Sequence, residues 1–228
     1  MMVKKELLKE YLAHPGVTYT ILTGAGISAE SGIPTFRSSS DGLWSGHNVD
    51  DVATREGFNK DPLLVWKFYA ARRKNMKSAA PNLGHHALAD LERSVSTRCM
   101  ILTQNIDGLH QAAGSENVVE MHGNIWKMKC SDCNAPAVED RTDEIESVVD
   151  IPWCGACGAL MRPAVVWFGE VLDMSDLISI QKRRFWVRST IEVTPPAPAI
   201  FFAVGTSGAV WPASSYANTY REMGALTV

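Results

Sequence analysis

Four of the five cysteines occur as two closely spaced pairs, a pattern that indicates a metal site. Two residues separate Cys130 from Cys133 and Cys154 from Cys157, and 20 residues lie between the pairs. Two tight turns that each present two thiolates can surround a tetrahedral zinc ion. We predict one closed, structural zinc site, with two disulfides or two redox dithiols as the alternative. The remaining Cys99 lies in an apolar run and is expected to be buried.

A glycine-rich turn, Gly24–Ala29, follows the apolar, β-branched segment Val17–Leu22, which is predicted to be a buried strand. Glycines let a backbone approach a pyrophosphate, and the N-terminus of a following helix offers free N–H groups. The order strand, glycine turn, helix therefore predicts dinucleotide binding. A plain tight turn between a strand and a helix is the alternative.

Further polar groups follow other predicted strands. They are Gln104–Asp107 after Thr97–Thr103, His122-Gly123 after Val118–Met121, and Gly205–Ser207 after Ala199–Val204. In parallel sheets, ligands bind beyond the carboxyl ends of the strands. Taken singly, Asn105 and Asp107 could cap a helix and His122 could be a buried core histidine. Taken together, the clusters favour a nucleotide pocket at one edge of a sheet.

Predicted helices and strands alternate along the chain, and they must position the polar residues described above. Helical spacing is found at Leu7–Leu12, Pro62–Lys77 and Asn82–Arg93, and an extended segment is predicted at Ala164–Phe168. Such alternation predicts an α/β fold with a doubly wound parallel sheet. The cysteine module would be an insertion outside the sheet, and its acidic stretch from Glu139 to Glu146 is expected to be solvated.

Composition limits the classes of protein that the chain can represent. It has 228 residues, 22 Lys+Arg against 25 Asp+Glu and a formal charge of -3, which disfavours a dedicated nucleic-acid binder. The longest apolar run, near Ala199–Gly205, is too short to span a bilayer. The charged N-terminal stretch has no signal-peptide core. We therefore expect no membrane partner and a cytoplasmic location, with the mitochondrial matrix as the alternative.

In its order of motifs the chain resembles the sirtuins, which are NAD-dependent protein-lysine deacylases. The similar segments are GAGISAESGIPTFR (Gly24–Arg37), QNID (Gln104–Asp107), HG (His122-Gly123), the paired cysteines, VVWFGE (Val165–Glu170) and GTS (Gly205–Ser207). The resemblance implies a Rossmann-like, doubly wound sheet with a smaller zinc-binding module and a helical insertion. It places the NAD-binding domain at residues 1–43, 80–122 and 165–228. The small domain would take residues 44–79 and 123–164.

The resemblance also implies a role for each motif residue. NAD would bind to Gly24, Ala25, Gly26, Ala29, Thr35, Phe36, Arg37, Gln104, Asn105, Ile106, Asp107, Gly205, Thr206 and Ser207. Asn105 would in addition position a water near C1′ of the nicotinamide ribose, and the zinc would be structural. The substrate peptide would pair, strand-like, with Val166, Trp167, Phe168, Gly169 and Glu170.

The family's reaction follows from the same resemblance. The acyl-lysine amide oxygen would attack C1′ of the nicotinamide ribose, and nicotinamide would leave. His122 would act as general base on a ribose hydroxyl, which attacks the resulting imidate. The products would be lysine, nicotinamide and O-acyl-ADP-ribose, and the partners would be acyl-lysine proteins or peptides.

The predicted helix Pro62–Lys77 bears on the identity of the acyl group. Tyr69 and Arg72 are three residues apart and can share a helix face. A guanidinium beside a phenol can receive a carboxylate. From the residues alone, a solvated basic face is favoured. The resemblance to class III sirtuins, whose small pocket residue falls on Ala53, implies instead the removal of succinyl, malonyl and glutaryl groups.

Two stretches depart from the family pattern. Gln181–Pro198 is rich in proline and cannot be a helix interior where the family has a helix. It is expected to be an insertion, a disordered loop or an artefact of the sequence. The chain ends at Val228, ahead of a strand and an adenosine-binding loop of the family, so weaker NAD binding is expected.

Three other functions stay open at the level of the sequence. They are a sirtuin that mainly deacetylates, a non-catalytic module that binds NAD or ADP-ribose, and an ADP-ribosyltransferase. The presence of His122, Asn105 and Asp107 disfavours the binding module. Protein targets and oligomeric state cannot be read from the sequence.

Overall fold

The computed structural model describes residues 2–35, 46–140, 142, 144–172 and 198–228. Three of the sequence predictions fall wholly or mainly outside these ranges. They concern Phe36, Arg37 and the proline-rich stretch Gln181–Pro198, of which Pro198 alone is described.

The described strands belong to two sheets. They are β1 (Thr18–Thr23), β2 (Cys99–Thr103), β3 (Val118–Glu120), β4 (Gly123–Cys130), β5 (Val138–Glu139), β6 (Met161–Val165), β7 (Ala199–Val204) and β8 (Leu226–Thr227). The larger sheet is parallel with the order β3-β2-β1-β7-β8, and the smaller is antiparallel with the order β5-β4-β6. In the larger sheet β1 is central, so Ile21 lies beside Ile101 of β2 and Phe202 of β7.

The described helices lie before β1, between β1 and β2, between β2 and β3, and between β7 and β8. They are α1 (Met2–Ala13), α2 (Val49–Val52), α3 (Arg55–Lys60), α4 (Pro62–Met76), α5 (Leu83–Val95), α6 (Leu109–Ala112) and α7 (Ala213–Glu222). Asp61 caps α4 by accepting the N–H of Leu64 at 2.9 Å, and Pro62 occupies the first turn, where its missing N–H costs little. Asn82 and His85 form a capping box at the start of α5. None of the helices in these ranges combines the length and apolar character that crossing a membrane needs.

Helices cover both faces of the larger sheet. Successive residues of a strand point to opposite faces, so a strand that is apolar throughout has two apolar faces to bury. On one face Ile21 packs with Ile101 beneath side chains of α1 and α5. On the other face Leu22 packs with Phe201 and with Tyr220 of α7. The predicted Rossmann-like, doubly wound parallel sheet is thus confirmed.

A second core joins the helices α2 to α4 to the smaller sheet and the cysteine module. Its centre includes Trp66, Phe68 and Ile125, all nearly inaccessible to solvent. Arg73 of α4 forms an ion pair of 2.5 Å with Asp140, and both side chains are buried. The expectation that the acidic stretch is solvated is therefore wrong at Asp140, because this carboxylate compensates a buried guanidinium. The domain boundaries given above stay a prediction.

Several elements differ from their sequence predictions. The glycine turn leads into a 3₁₀ helix, Ala25–Ser31, rather than an α-helix. The extended segment predicted at Ala164–Phe168 is a strand that begins earlier and ends at Val165. The sequence analysis did not foresee α7 or the edge strand β8. The packing of Tyr216 and Tyr220 beneath the sheet explains why a polar segment such as α7 holds its place.

Candidate functional site

A cavity of about 830 Å³ lies between the carboxyl edge of the larger sheet and helix α4. Most of the predicted site residues line it. They are Gly24, Ala25, Gly26, Thr35, Ala53, Tyr69, Arg72, Gln104, Asn105, Ile106, Asp107, His122, Val166, Trp167, Phe168, Gly169, Glu170, Gly205, Thr206 and Ser207. Ala29 is exposed and does not line the cavity, because the 3₁₀ helix turns it outward.

The glycine turn is pressed against the loop that follows β7. The N–H of Gly26 donates to the carbonyl oxygen of Gly205 at 2.8 Å. A Cβ on Gly26 would lie 2.8 Å from that oxygen, and one on Gly205 would lie 2.3 Å from the nitrogen of Ile27. The glycines are therefore required for the close approach of two loops. Their predicted contact with a pyrophosphate stays a prediction.

Gln104 connects the ends of three strands. Its side-chain amide donates to the carbonyl oxygen of Thr23 at 3.2 Å and to the hydroxyl of Thr206 at 2.9 Å. Its backbone N–H also donates to Thr23 at 3.0 Å. Because Thr23, Gln104 and Thr206 lie at the ends of β1, β2 and β7, these bonds fix the edge of the sheet that faces the cavity.

Ser28 is the centre of a buried hydrogen-bond network that sequence reasoning missed. Its hydroxyl donates to Oδ2 of Asp107 at 2.7 Å and accepts from the amide of Asn105 at 3.1 Å. Oδ1 of Asp107 accepts the N–H of Leu109 at 3.0 Å, at the start of α6. Asp107 thus holds the backbone at the start of α6 and also lines the cavity. The sequence feature that could have indicated Ser28 is its position within the glycine-rich turn Gly24–Ala29.

Two buried histidines, His85 and His110, adjoin this network with their rings 5.0 Å apart. The N–H of Asn82 donates to Nδ1 of His85, so the proton of neutral His85 is on Nε2, which faces Ser28 at 3.4 Å. Burial and, to a lesser extent, the proximity of His85 together lower the pKa of His110 to about 4. Burial also lowers the pKa of His85. Both rings are therefore neutral at pH 7.

His122 lies at the end of the loop after β3, and one hydrogen bond fixes the tautomer of its neutral ring. Its Nδ1 lies 2.9 Å from the carbonyl oxygen of Gln104, which can only accept, so Nδ1 carries the proton of the neutral ring. Nε2 then presents a lone pair. Burial lowers the pKa of His122 more than the bond to Gln104 raises it. Gly123 must follow, because a Cβ there would lie 2.0 Å from the carbonyl oxygen of Ala164.

The opposite wall of the cavity carries the proposed acyl-recognition residues. Tyr69 is 3% exposed, and burial raises its pKa above the ordinary value, so the phenol is protonated. Arg72 is partly buried, with its guanidinium 3.6 Å above the ring of Phe68. Ala53 is buried at the same wall. Of the basic run, Lys74 is exposed and Arg73 is buried, so a uniformly solvated basic face is excluded.

The backbone after β6 makes hydrogen bonds within the chain. The N–H of Val166 donates to the carbonyl oxygen of His122 at 2.9 Å, and the N–H of Phe168 donates to the carbonyl oxygen of Ala53 at 3.0 Å. The N–H of Trp167 donates to Oε2 of Glu170 at 2.9 Å. These bonds tie the segment to both walls of the cavity.

The four clustered cysteines fit a zinc ion. Their sulfur atoms all lie within 4.8 Å of one another, with Cys130 and Cys157 at 3.4 Å and Cys133 and Cys154 at 3.7 Å. Tetrahedral Zn–S bonds of about 2.3 Å place sulfurs about 3.8 Å apart, whereas a disulfide needs about 2.0 Å. The N–H groups of Cys133 and Asp132 lower the pKa of Cys130 to about 6. All four thiols are free, which disfavours two disulfides. The gathering of four sulfurs in one cluster favours a zinc site over two separate redox dithiols.

Comparison with protein families and curated proteins gives matches over most of the chain. A model described as the Sir2 family matches residues 24–212. A protein of Pyrococcus furiosus named NAD-dependent protein deacylase is 44% identical over 208 residues, which cover 90% of this chain and 78% of that protein. NAD-dependent protein deacylase 1 of Caldanaerobacter subterraneus is 42% identical over 98% of this chain and 85% of its own length.

Solved structures also match nearly the whole chain. A mutant Sir2 homologue in complex with ADP-ribose superposes with a TM-score of 0.79 at 37% identity, covering 98% of this chain and 83% of its own. A Sir2 homologue in complex with NAD has a TM-score of 0.78 at 38% identity, covering 98% and 80%. At this level of identity the likeness concerns sequence as well as fold.

We predict that the buried His110 makes the fold sensitive to acid. The unfolded chain binds a proton at this histidine near pH 6.5, whereas the folded protein binds it only near pH 4. Stability is therefore complete above about pH 6.5 and is lost as the pH falls toward 4, by up to roughly 3 kcal/mol. Urea unfolding between pH 4.5 and 7.5 measures the slope of the free energy of unfolding against pH.

The variant His110→Gln should reduce that slope, because it removes one of the buried histidines whose pKa is lowered in the folded protein, while His85 and His122 remain. His86 is exposed, so His86→Gln is the matched control and should keep the slope of the natural protein. Equal slopes in the protein and in His110→Gln would show that His110 does not carry the acid sensitivity.

We also predict that chelation releases one zinc per chain and lowers the melting temperature, because the ion joins two loops of the small sheet. Elemental analysis and thermal unfolding measure both effects. Cys99 is buried and lies outside the cluster, so Cys99→Ala should keep full zinc content. A metal-free protein with an unchanged melting temperature would contradict the structural role of zinc.

Proposed function

Since this chain belongs to the Sir2 family, we propose that it removes acidic acyl groups, namely succinyl, malonyl and glutaryl, from protein lysines. NAD-dependent protein deacylation is the activity that membership of the family gives, with NAD as co-substrate and a structural four-cysteine zinc site. What we propose beyond this family activity is the preference for acidic acyl groups. Protein deacetylation is the alternative.

One observation carries the proposal: Tyr69 and Arg72 line the same cavity as Asn105 and His122. A lysine whose acyl carbon lies near the histidine would extend its acyl tail toward α4. A carboxylate at the end of that tail can pair with the guanidinium and accept a hydrogen bond from the phenol. An acetyl group has no charged atom to offer there.

Partial burial strengthens this recognition. The walls of the cavity exclude part of the water that would otherwise screen an ion pair, so a carboxylate–guanidinium contact is stronger here than on an open surface. Burial lowers the pKa of Arg72, but a guanidinium stays charged at neutral pH. Ala53, being small, leaves room at the same wall for a longer tail.

At the sheet edge, the chain's own residues bind the co-substrate and move one proton. Asn105 and Asp107 form the nicotinamide side of the pocket, and Thr206 and Ser207 lie along the adenosine side. The reactive bond of NAD joins nicotinamide to C1′ of its ribose. His122 takes the proton of a ribose hydroxyl at Nε2, because Nδ1 is already occupied by its bond to Gln104.

The peptide on either side of the lysine runs along Val166–Glu170. Since Val166, Trp167 and Phe168 already use their N–H groups within the chain, a peptide pairs here by donating to carbonyl oxygens of the segment. Phe168 and Val171 are exposed beside the cavity and offer apolar contacts to neighbouring side chains.

We predict that Arg72→Met lowers kcat/KM for a succinyl-lysine peptide by about 10-fold to 100-fold. This range corresponds to about 1.5–3 kcal/mol for a charged hydrogen bond. The measurement is the ratio of kcat/KM for the succinylated and acetylated forms of one peptide, with O-acyl-ADP-ribose read by mass spectrometry. The ratio should exceed one in the natural protein and fall in the variant.

Lys74→Met is the matched control for loss of charge, because Lys74 lies on the same helix and is exposed. It should leave the succinyl/acetyl ratio unchanged. A ratio that favours acetyl in the natural protein, or one that Arg72→Met does not change, would overturn the acidic preference and leave deacetylation as the activity.

We predict that His122→Ala abolishes turnover while zinc content and melting temperature stay unchanged. In the natural protein, kcat/KM should be constant at neutral pH and fall only below about pH 6.5, since burial lowers the pKa of His122. An acetylated peptide suits this profile, because its acyl group does not titrate. Turnover retained by His122→Ala, or an acid limb above pH 7, would remove His122 as the base.

A further inference from the structure

We propose that Trp167 is a positioning residue for acyl preference: its indole N–H occupies the oxygen of Tyr69 and leaves the phenol hydrogen for the carboxylate of an acidic acyl group. The inference rests on the proposed function, since it assigns a further residue to the same recognition wall. It concerns the side chain of Trp167, whereas the peptide pairing described above concerns the backbone of this segment.

The contact between the two side chains is direct. Nε1 of Trp167 lies 3.0 Å from the hydroxyl oxygen of Tyr69, and each residue is 3% exposed. An indole N–H can only donate, so the phenol oxygen is the acceptor. Within the described residues the Tyr69 hydroxyl donates to no acceptor. Its hydrogen is thus available to a group that enters the cavity.

Trp167 is fixed from two sides, which makes its N–H a defined donor. The guanidinium of Arg162 lies 3.7 Å from the centre of the indole ring, and the ring of Phe58 lies 5.5 Å away. Such a buried cation–π contact adds to the packing. The backbone N–H of Trp167 is held by Glu170 at 2.9 Å. The indole therefore has little freedom to turn away from Tyr69.

Arg162, which packs on the indole of Trp167, also compensates the negative charge of Glu170. Glu170 lines the cavity, and its carboxylate would repel an acidic acyl group if it were unpaired. Arg162 donates to Oε2 of Glu170 at 2.7 Å, and its side chain is 3% exposed. The charge of Glu170 is thereby compensated by Arg162 within the wall, so its carboxylate does not oppose the approach of an acidic acyl group.

A double-mutant cycle tests the inference. Trp167→Phe removes the indole N–H and should lower the succinyl/acetyl ratio of kcat/KM by about 3-fold to 10-fold, the size expected for one neutral hydrogen bond. In a Tyr69→Phe background the same change should have no further effect on the ratio, because the hydroxyl it positions is absent. Phe58→Leu removes one of the two contacts that fix the indole but keeps its N–H, so it should lower the ratio less than Trp167→Phe does.

If Trp167→Phe does not fold, 3-benzothienylalanine at position 167 keeps the bicyclic shape without the N–H and should give the same loss of ratio. An unchanged ratio in either protein, or an equal loss with and without the Tyr69 hydroxyl, would overturn the role of Trp167. In both cases a normal response to Arg72→Met would leave the proposed function standing. A ratio that Arg72→Met does not alter would overturn both proposals.

Discussion

The backbone hydrogen bond from Gly26 to Gly205 is the contact on which the site depends. It brings the loop after the central strand β1 against the loop after β7, at a distance that no side chain on either residue would allow. Gln104 then ties β2 to the same edge through Thr23 and Thr206. Because all three strands are parallel and end at this edge, their polar residues necessarily face one cavity.

Burial at this edge also determines which groups carry charge. His85 and His110 stay neutral because a protonated imidazole would lose more hydration than its neighbours return. His122 is subject to the same effect, and its bond to Gln104 decides which ring nitrogen has the lone pair. Among the described residues, no carboxylate is hydrogen-bonded to the ring of His122, whose hydrogen-bond partner is the carbonyl oxygen of Gln104. The predicted consequence of burying neutral histidines is a fold that loses stability in acid.

Sequence reasoning found what depends on local pattern and missed what depends on contacts between distant residues. The glycine turn, the strand ends and the paired cysteines each lie within a few residues, so the fold class and most cavity residues could be predicted. The network of Ser28 with His85 joins residues 57 positions apart. The burial of Asp140 depends on Arg73, 67 positions away. No periodicity in the sequence reports such pairs.

The two walls of the cavity come from different parts of the chain, and the proposed function assigns the reaction to one wall and the recognition of the acyl group to the other. The sheet edge carries Asn105 and His122, whereas α4 carries Tyr69 and Arg72. The segment after β6 joins the walls through its hydrogen bonds to His122 and Ala53. If the proposed acyl recognition holds, changes on α4 would alter the acyl tail that is accepted while the position of His122 is kept. Trp167 lies in the joining segment and contacts Tyr69, so on the same proposal a change there would alter recognition without a change on α4.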